Sequence, residues 1–346
     1  MIFRAQSPML AILVMTGHAL AQQTPSPPAQ APVPTEVPPL PPESVFGRIV
    51  GGIDAPAGSA PWQVEIFSVA TFTTTDFAND FKLRDRDPNK RFYWLKEPWE
   101  SAHRCGGVLI AADWVVTAAH CITRTPGDFL AMRRIRLGTQ NIGPEGRGAV
   151  FRIDRAAIHA RYSKTLETSD IALLHIVPDG TPDPVAVARA KPIRVIGSKR
   201  GDRPLGDLQD VIVTGWGLTK QADGTPGQRA ADGSVNRSSP RLQQVSLTTL
   251  PTERCEAIAD YKGKLDATSI CAGSVEGAKD SCQGDSGGPM TRAQGSEMVL
   301  VGLVSWGVGC ALPETPGIYT RVGALTSWIA KAKKVPPGKV TRVDMP

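Results

Sequence analysis

The chain has 346 residues, 39 basic against 33 acidic, a net charge of +6, and 41% hydrophobic residues. That is long enough for one large or two modest domains, and too polar for a multi-span membrane protein. The mild positive excess includes no long Lys/Arg block, so it makes no case for nucleic acid as a partner.

At the N-terminus, Arg4 precedes an apolar run from Met9 to Met15, which leads into Ala19, Leu20 and Ala21 before Gln22. A charged start, a short apolar stretch and small residues before a polar one predict a secretory signal peptide over residues 1–21. The run is shorter than the roughly 20 apolar residues that a membrane-spanning helix needs. An uncleaved anchor or a buried N-terminal helix fits poorly with the adjoining segment, in which 9 of the 26 residues from Gln22 to Gly47 are proline. Proline lacks an N–H donor and fixes φ, so residues 22–48 read as an extended propeptide or linker.

After Arg48 the composition changes. Runs of strand type recur between turn residues: Trp62 to Phe67, Gly107 to Ile110, Trp114 to Thr117, Ile171 to Ile176, Val211 to Thr214 and Val299 to Trp306. This spacing predicts an antiparallel sandwich or barrel. Helical patterning is confined to about Glu253 to Tyr261 and Ala324 to Lys333. No internal repeat is visible.

Six cysteines in an exported chain predict three disulfides, and six permit 15 pairings, among which spacing does not choose. There is no C-x-x-C pair and no His-x-x-x-His pair, so neither a zinc site nor a dithiol redox centre is expected.

Three short runs carry the chemistry. Ser286 lies among glycines in Gly284-Asp285-Ser286-Gly287-Gly288, a setting that can expose a hydroxyl and leave backbone N–H groups free for a developing oxyanion. By itself it could equally be a plain glycine turn. His120 follows an apolar strand and precedes Cys121, and a lone histidine there is more often structural. Asp170 opens the hydrophobic run Asp170-Ile171-Ala172-Leu173-Leu174, where a carboxylate needs a partner that an imidazole can supply.

In the order His, Asp, Ser, these runs resemble the trypsin-like, chymotrypsin-fold serine endopeptidases, and the reading taken is a secreted bacterial member. The resemblance covers Ile49 to about Lys333. It implies an all-β fold of two six-stranded antiparallel β-barrels with a C-terminal helix, forming a peptidase domain over residues 49–346 with the cleft between the barrels. It also implies Ser286 as nucleophile, His120 as general base and then acid, Asp170 as the group that orients the imidazole, and the N–H groups of Gly284 and Ser286 as the oxyanion hole. Asp280, six residues before Ser286, looks like the floor of the specificity pocket, with Ser305, Gly307 and Gly317 along its walls. A carboxylate there implies cleavage after Arg or Lys; otherwise Asp280 is simply on a solvated turn.

The same likeness implies a zymogen. Cutting between Arg48 and Ile49 would free an ammonium on Ile49 to pair with Asp285. It further implies the pairings Cys105 with Cys121, Cys255 with Cys271, and Cys282 with Cys310. The expected partners are protein or peptide substrates with Arg or Lys before the scissile bond, and protein inhibitors of proteases. No cofactor, metal, nucleic acid or stable membrane insertion is expected; the location is secreted or periplasmic and the state monomeric. The rival class is a catalytically silent binding protein on the same fold.

Departures from the family pattern matter too. An unusually long connection, residues 68–104, carries Phe72, Phe77, Phe81, Phe92, Tyr93, Trp94 and Trp99. It reads either as an exosite on the leaving-group side or as an insertion packed on its own domain, and a third reading makes it an adhesive surface. A second loop, Leu218 to Arg241, is rich in Gly, Ser and Arg and reads as flexible or self-cleaved. Thr139 stands where a calcium-binding loop would carry an acid, so hard-cation binding is not expected. His103, His159 and His175 have no motif around them, and the run Asn236-Arg237-Ser238 is sequon-like.

Overall fold

The computed structural model describes residues 49–345 apart from 71, 86, 88–89, 126, 167, 199, 221–229, 231–232 and 275–278. The expected signal peptide, the Pro-rich segment and Arg48 lie outside the described residues. Twelve strands make two closed rings. The first holds β1 (Gln63–Ser68), β2 (His103–Ala111), β3 (Trp114–Thr117), β4 (Arg133–Leu137), β5 (Ala149–His159) and β6 (Ala172–Pro178). Its order is β5-β4-β1-β2-β3-β6, closed by pairing of β5 with β6, all antiparallel. The second holds β7 (Asp210–Gly215), β8 (Gln243–Leu250), β9 (Ser269–Gly273), β10 (Pro289–Gln294), β11 (Glu297–Trp306) and β12 (Gly317–Arg321). It runs β7-β8-β9-β12-β11-β10 and closes β10 on β7.

The two-residue period of a strand sorts each side chain to a core. In β3, Val115 packs inside the first barrel with Val64, Ile66, Ile135 and Leu174. Its neighbours Trp114 and Val116 face the other way, into a cluster shared with Val213, Leu303 and Trp328. Leu173 and Leu174 divide in the same manner. The first barrel therefore has apolar residues on both faces where the barrels meet, and the seam is a continuous core. Closure of each ring leaves few exposed edges.

The first of the two expected helices is shorter than its pattern predicts: the chain is helical only over Thr252–Glu256 and then turns, and Ile258 and Tyr261 pack against a small core with Cys255, which is tied to Cys271. Near the end, a 3₁₀ turn (Val322–Leu325) leads into a helix over Thr326–Ala332 that buries Trp328, Ile329 and Ala332. Beyond it, Val340–Val343 forms a further strand, parallel to residues 156–159 of β5 in the first barrel. The Trp328 indole N–H donates to the Val343 carbonyl (2.8 Å), and Gly338 N–H donates to Asp154 O (2.7 Å). Among the described residues no helix is long and apolar enough to cross a membrane.

The long connection before β2 is folded. A helix over Thr74–Lys82 starts with a capping box made by Thr73 and Asp76. Buried Asp80 accepts the N–H groups of Arg91 (2.5 Å) and Tyr93 (3.2 Å), while Lys90 Nζ donates to the Asp80 carbonyl (2.6 Å). Phe92 is buried, and Tyr93 packs against Phe72 (4.1 Å between centroids) and Phe77. Phe81 and Trp94 stay 69% and 52% exposed, so part of the aromatic set packs inward and part faces outward.

A second short helix, Pro98–Ala102, buries Glu100, whose carboxylate takes Arg237 Nε (3.1 Å) and Ser238 N–H (3.2 Å) and so ties this segment to the second loop. In that loop the Asn236 side chain is fully buried, bonding Thr219 N–H, Lys220 N–H and Lys220 O. Its amide serves the fold, and the sequon-like run is closed to modification in the folded chain. Of the loop Leu218 to Arg241, expected to be flexible or self-cleaved, residues 221–229 and 231–232 lie outside the described residues.

Removing residues 335–346 strips two buried valines, Val335 and Val343, and leaves the Trp328 indole without its acceptor. We expect a loss of about 3–4 kcal/mol, or roughly 6 °C in a thermal unfolding scan of a domain this size. An unchanged midpoint would show that the last strand contributes nothing.

Candidate active site

The turn before β6 and the short helix after β3 bring a carboxylate and an imidazole together. His120 lies on the helical turn Ala119–Thr123, and Asp170 follows Ser169, which has a positive φ of 52°. His120 Nδ1 is 2.7 Å from Asp170 Oδ2, and His120 N–H donates to Oδ1 (2.9 Å). Both side chains are buried. The Ser305 hydroxyl, from β11 in the other barrel, donates to Asp170 Oδ2 (2.6 Å), and the Thr320 hydroxyl to the Asp170 carbonyl (2.8 Å). Burial pushes the Asp170 carboxyl up, but the His120 charge and these hydrogen bonds outweigh it and hold the pKa below the usual value. An acid so placed fixes the imidazole with Nδ1 protonated and Nε2 free to accept.

Ser286 sits across from this pair at the start of the second barrel's β10. Its carbonyl accepts Gly106 N–H from β2 (2.8 Å), which locks the serine turn onto the first barrel. The residue is partly exposed, and its hydroxyl makes no hydrogen bond among the described residues. The N–H groups of Gly284 and Ser286 likewise have no protein acceptor among the described residues. Gly284 has φ +100°, a conformation that only glycine adopts readily, and this turns its peptide toward the cleft.

Asp280 lies beside this turn. Its Oδ2 accepts Ala311 N–H (3.1 Å), while its Oδ1 is buried without a well-formed hydrogen bond; the Tyr319 hydroxyl close by is shared with Ser281 Oγ (3.0 Å). A Cβ on residue 317 would stand 2.9 Å from that Oδ1, and one on residue 307 would stand 3.7 Å from the Gly317 Cα. Glycine at both places keeps the approach to Asp280 clear. Burial pushes the Asp280 carboxyl up to about 7. Asp285, fully buried, accepts the N–H groups of Gly217 (2.8 Å) and Cys282 (2.9 Å), and burial pushes it up to about 6. Ile49 is fully buried, and the Val50 carbonyl accepts Asp280 N–H (3.2 Å), so the start of the described chain abuts the same region.

Disulfides join Cys105 to Cys121, Cys255 to Cys271, and Cys282 to Cys310. The first braces the His120 turn against β2, and the third ties the Ser286 turn to the loop beside Asp280. Cys105, His120 and Cys121 also cluster closely, but both sulfurs are spent in the disulfide, leaving no thiolate for a metal. In the turn after β4, the Thr139 hydroxyl donates to the Asn141 carbonyl (2.8 Å) and Arg136 Nη1 to that of Ile142 (3.1 Å), occupying two oxygens a hard cation would use. A broad depression of about 1000 Å³ near Thr139, Arg147 and Arg241 is lined by none of His120, Asp170, Asp280, Asp285 and Ser286.

Two residues here escaped the sequence reading. His103 lies on β2 with Nε2 2.9 Å from the Gly284 carbonyl and Nδ1 3.2 Å from Glu65 Oε1. A signal for them existed: Glu65 interrupts the apolar run Val64-Glu65-Ile66, and a charge inside a buried strand demands a partner.

The comparisons with known proteins agree with this geometry. The family model described as Trypsin matches residues 84–329. The chain is also 33% identical over 283 residues to a vitellin-degrading protease of Bombyx mori, covering 82% of this chain and 84% of that protein. Two closed antiparallel barrels, a shared seam, and these matches over most of the chain together place it, as a member, in the trypsin family of proteases.

Proposed function

We propose that the protein is a serine endopeptidase that cleaves after Arg or Lys and is made as a zymogen. The observation that carries this reading is the buried Asp170–His120 pair at 2.7 Å beside a serine turn whose two N–H groups are unengaged. In the reaction, Ser286 Oγ attacks the scissile carbonyl carbon and its proton passes to His120 Nε2. The Gly284 and Ser286 N–H groups hold the oxyanion. His120 then gives the proton to the departing amine as the C–N bond breaks, leaving an acyl-Ser286 ester. Water, deprotonated by the same imidazole, cleaves that ester and restores the serine. Asp170 stabilises the imidazolium in each half.

Arg or Lys preference is supported by the ill-satisfied Oδ1 of Asp280 behind two glycines. A guanidinium or ammonium entering there supplies the partner that the carboxylate lacks. For activation, cleavage at Arg48 would convert the uncharged Ile49 amide nitrogen into an ammonium, and Asp285, hydrogen-bonded among the described residues to backbone N–H groups, is the buried anion it would neutralise. Three disulfides support an exported location.

Ser286→Ala should lower kcat on an arginyl amide by roughly 10⁶-fold with KM little changed, and an organophosphonate should label the parent protein at Ser286 alone. Labelling elsewhere, or a variant as active as the parent, rejects the nucleophile. Arg48→Gln should leave the chain uncut and inactive under conditions that process and activate the parent; activity without processing would reject the zymogen reading.

Asp280 yields a pH test by titration calorimetry. With its carboxyl pushed up to about 7, benzamidine should bind more weakly as pH falls below that value, by about tenfold per unit, and Asp280→Asn should bind weakly at every pH. The sign for stability is opposite. A carboxyl whose folded pKa is raised from 3.8 to about 7 makes the unliganded fold less stable as pH rises through that window. Asp280→Asn should therefore unfold at a higher temperature than the parent at pH 8, and the gap should close toward pH 4. Benzamidine affinity that ignores pH would remove Asp280 from the pocket.

A further inference from the structure

Behind the serine turn lies a second acid–imidazole pair. His103 and Glu65 side chains are 3% and 2% exposed, with His103 Nδ1 3.2 Å from Glu65 Oε1. The other ring nitrogen, Nε2, is 2.9 Å from the Gly284 carbonyl. Both neighbours of the ring are polar oxygens, so each imidazole nitrogen has a partner. Glu65 lies between the imidazole and a guanidinium, because Arg136 Nη1 stands 3.3 Å from its Oε2. Beyond the ring is Asp285, whose carboxyl is pushed up by burial and drawn back in part by backbone N–H groups and by His103. Polar groups thus run without a break from Arg136 through Glu65 and His103 to the serine turn.

The neighbouring contacts show what this run of polar groups restrains. Leu218 N–H donates to the Gln283 carbonyl (2.8 Å), which fixes the peptide that bears the Gly284 N–H. The His103 contact fixes the next peptide, so Gly284 is clamped on both sides at a φ of +100°. The Cδ2–Nε2 edge of the ring packs against this residue: a Cβ on Gly284 would lie 3.4 Å from His103 Cδ2. The edge of the Trp216 ring, 6.3 Å away between centroids, keeps the imidazole from swinging out. Without the clamp, a glycine between two peptides has many other conformations to visit, most of which turn the N–H away from a substrate oxygen.

We infer that Glu65 and His103 form a positioning pair that holds the Gly284 carbonyl and thereby aims the Gly284 N–H at the reacting carbonyl oxygen. The pair touches no substrate atom; its effect passes through Gly284. The inference rests on the peptidase reading above, since an oxyanion must form for its stabilisation to matter.

The test uses the processed protein beginning at Ile49, as parent, His103→Phe, His103→Gln and Glu65→Gln. Four quantities are compared: kcat and KM for a small arginyl amide, benzamidine affinity as a probe of the Asp280 pocket, and the rate of phosphonate labelling. His103→Phe keeps a ring but cannot donate, so kcat should fall about 10- to 100-fold, short of the roughly 100- to 1000-fold caused by losing a donor outright. KM and benzamidine affinity should stay near parental values. The His103→Gln amide can donate to the same carbonyl and should recover most of the loss. Glu65→Gln, which keeps a hydrogen-bond acceptor but not the charge, should fall between the two.

A His103→Phe protein with parental kcat overturns the inference. So does parallel loss of kcat and benzamidine affinity, which marks a general collapse of the site, or failure of the Gln variant to recover activity. If His103→Phe does not fold, Glu65→Gln decides, and parental kcat in that variant overturns the pairing. A parent protein that neither cleaves the amide nor takes the phosphonate defeats the peptidase reading itself, and the inference with it.

Discussion

Four carboxylates are buried where the barrels meet, and a buried negative charge without a partner is among the least favourable things a fold can contain. Glu65, Asp170, Asp280 and Asp285 each resolve that problem differently. Asp170 has an imidazole and two hydroxyls from the opposite barrel. Glu65 has an imidazole and a guanidinium. Asp285 accepts backbone N–H groups, and Asp280 keeps its Oδ1 without a well-formed hydrogen bond and without a cation among the described residues. The gradation is informative: the more fully a carboxylate is matched inside the protein, the more it acts as a fixed support, and the less it is matched, the more it waits for something from outside.

The barrels make this possible because neither owns the site. His120 and Asp170 come from the first ring, Ser286 and Ser305 from the second, and the bonds from Ser305 to Asp170 and from Gly106 to Ser286 cross between them. Strands of the first ring supply apolar residues to both of their faces at the seam, so the two walls of the cleft share one packed interior. A rigid, shared interior is what lets hydrogen bonds near 2.7 Å persist across a boundary between two sheets.

Much of this was legible in the chain. Strand runs such as Trp114 to Thr117 are short, apolar and rich in β-branched residues and appear as strands, and the runs around His120, Asp170 and Ser286 meet at one place. What was hidden falls into two kinds. The 68–104 segment is organised by Asp80 and Lys90 bonding to backbone groups ten or more residues away, and such tertiary bonds leave no periodic trace. The parallel strand Val340–Val343 is short and comes after two prolines, so its character derives from the partner it finds rather than from its own composition. His103 was silent alone, yet Glu65 two strand positions into an apolar run obeyed the rule that drew attention to Asp170.

That closing strand also bears on how the protein comes into being. Residues 340–343 pair with 156–159 from far along the sequence, whereas the six strands of the first ring close on one another without them. Pairings over so long a separation are slow to form. The first ring can therefore shut on local contacts alone, and the outer strand works as a clasp laid over a barrel already closed.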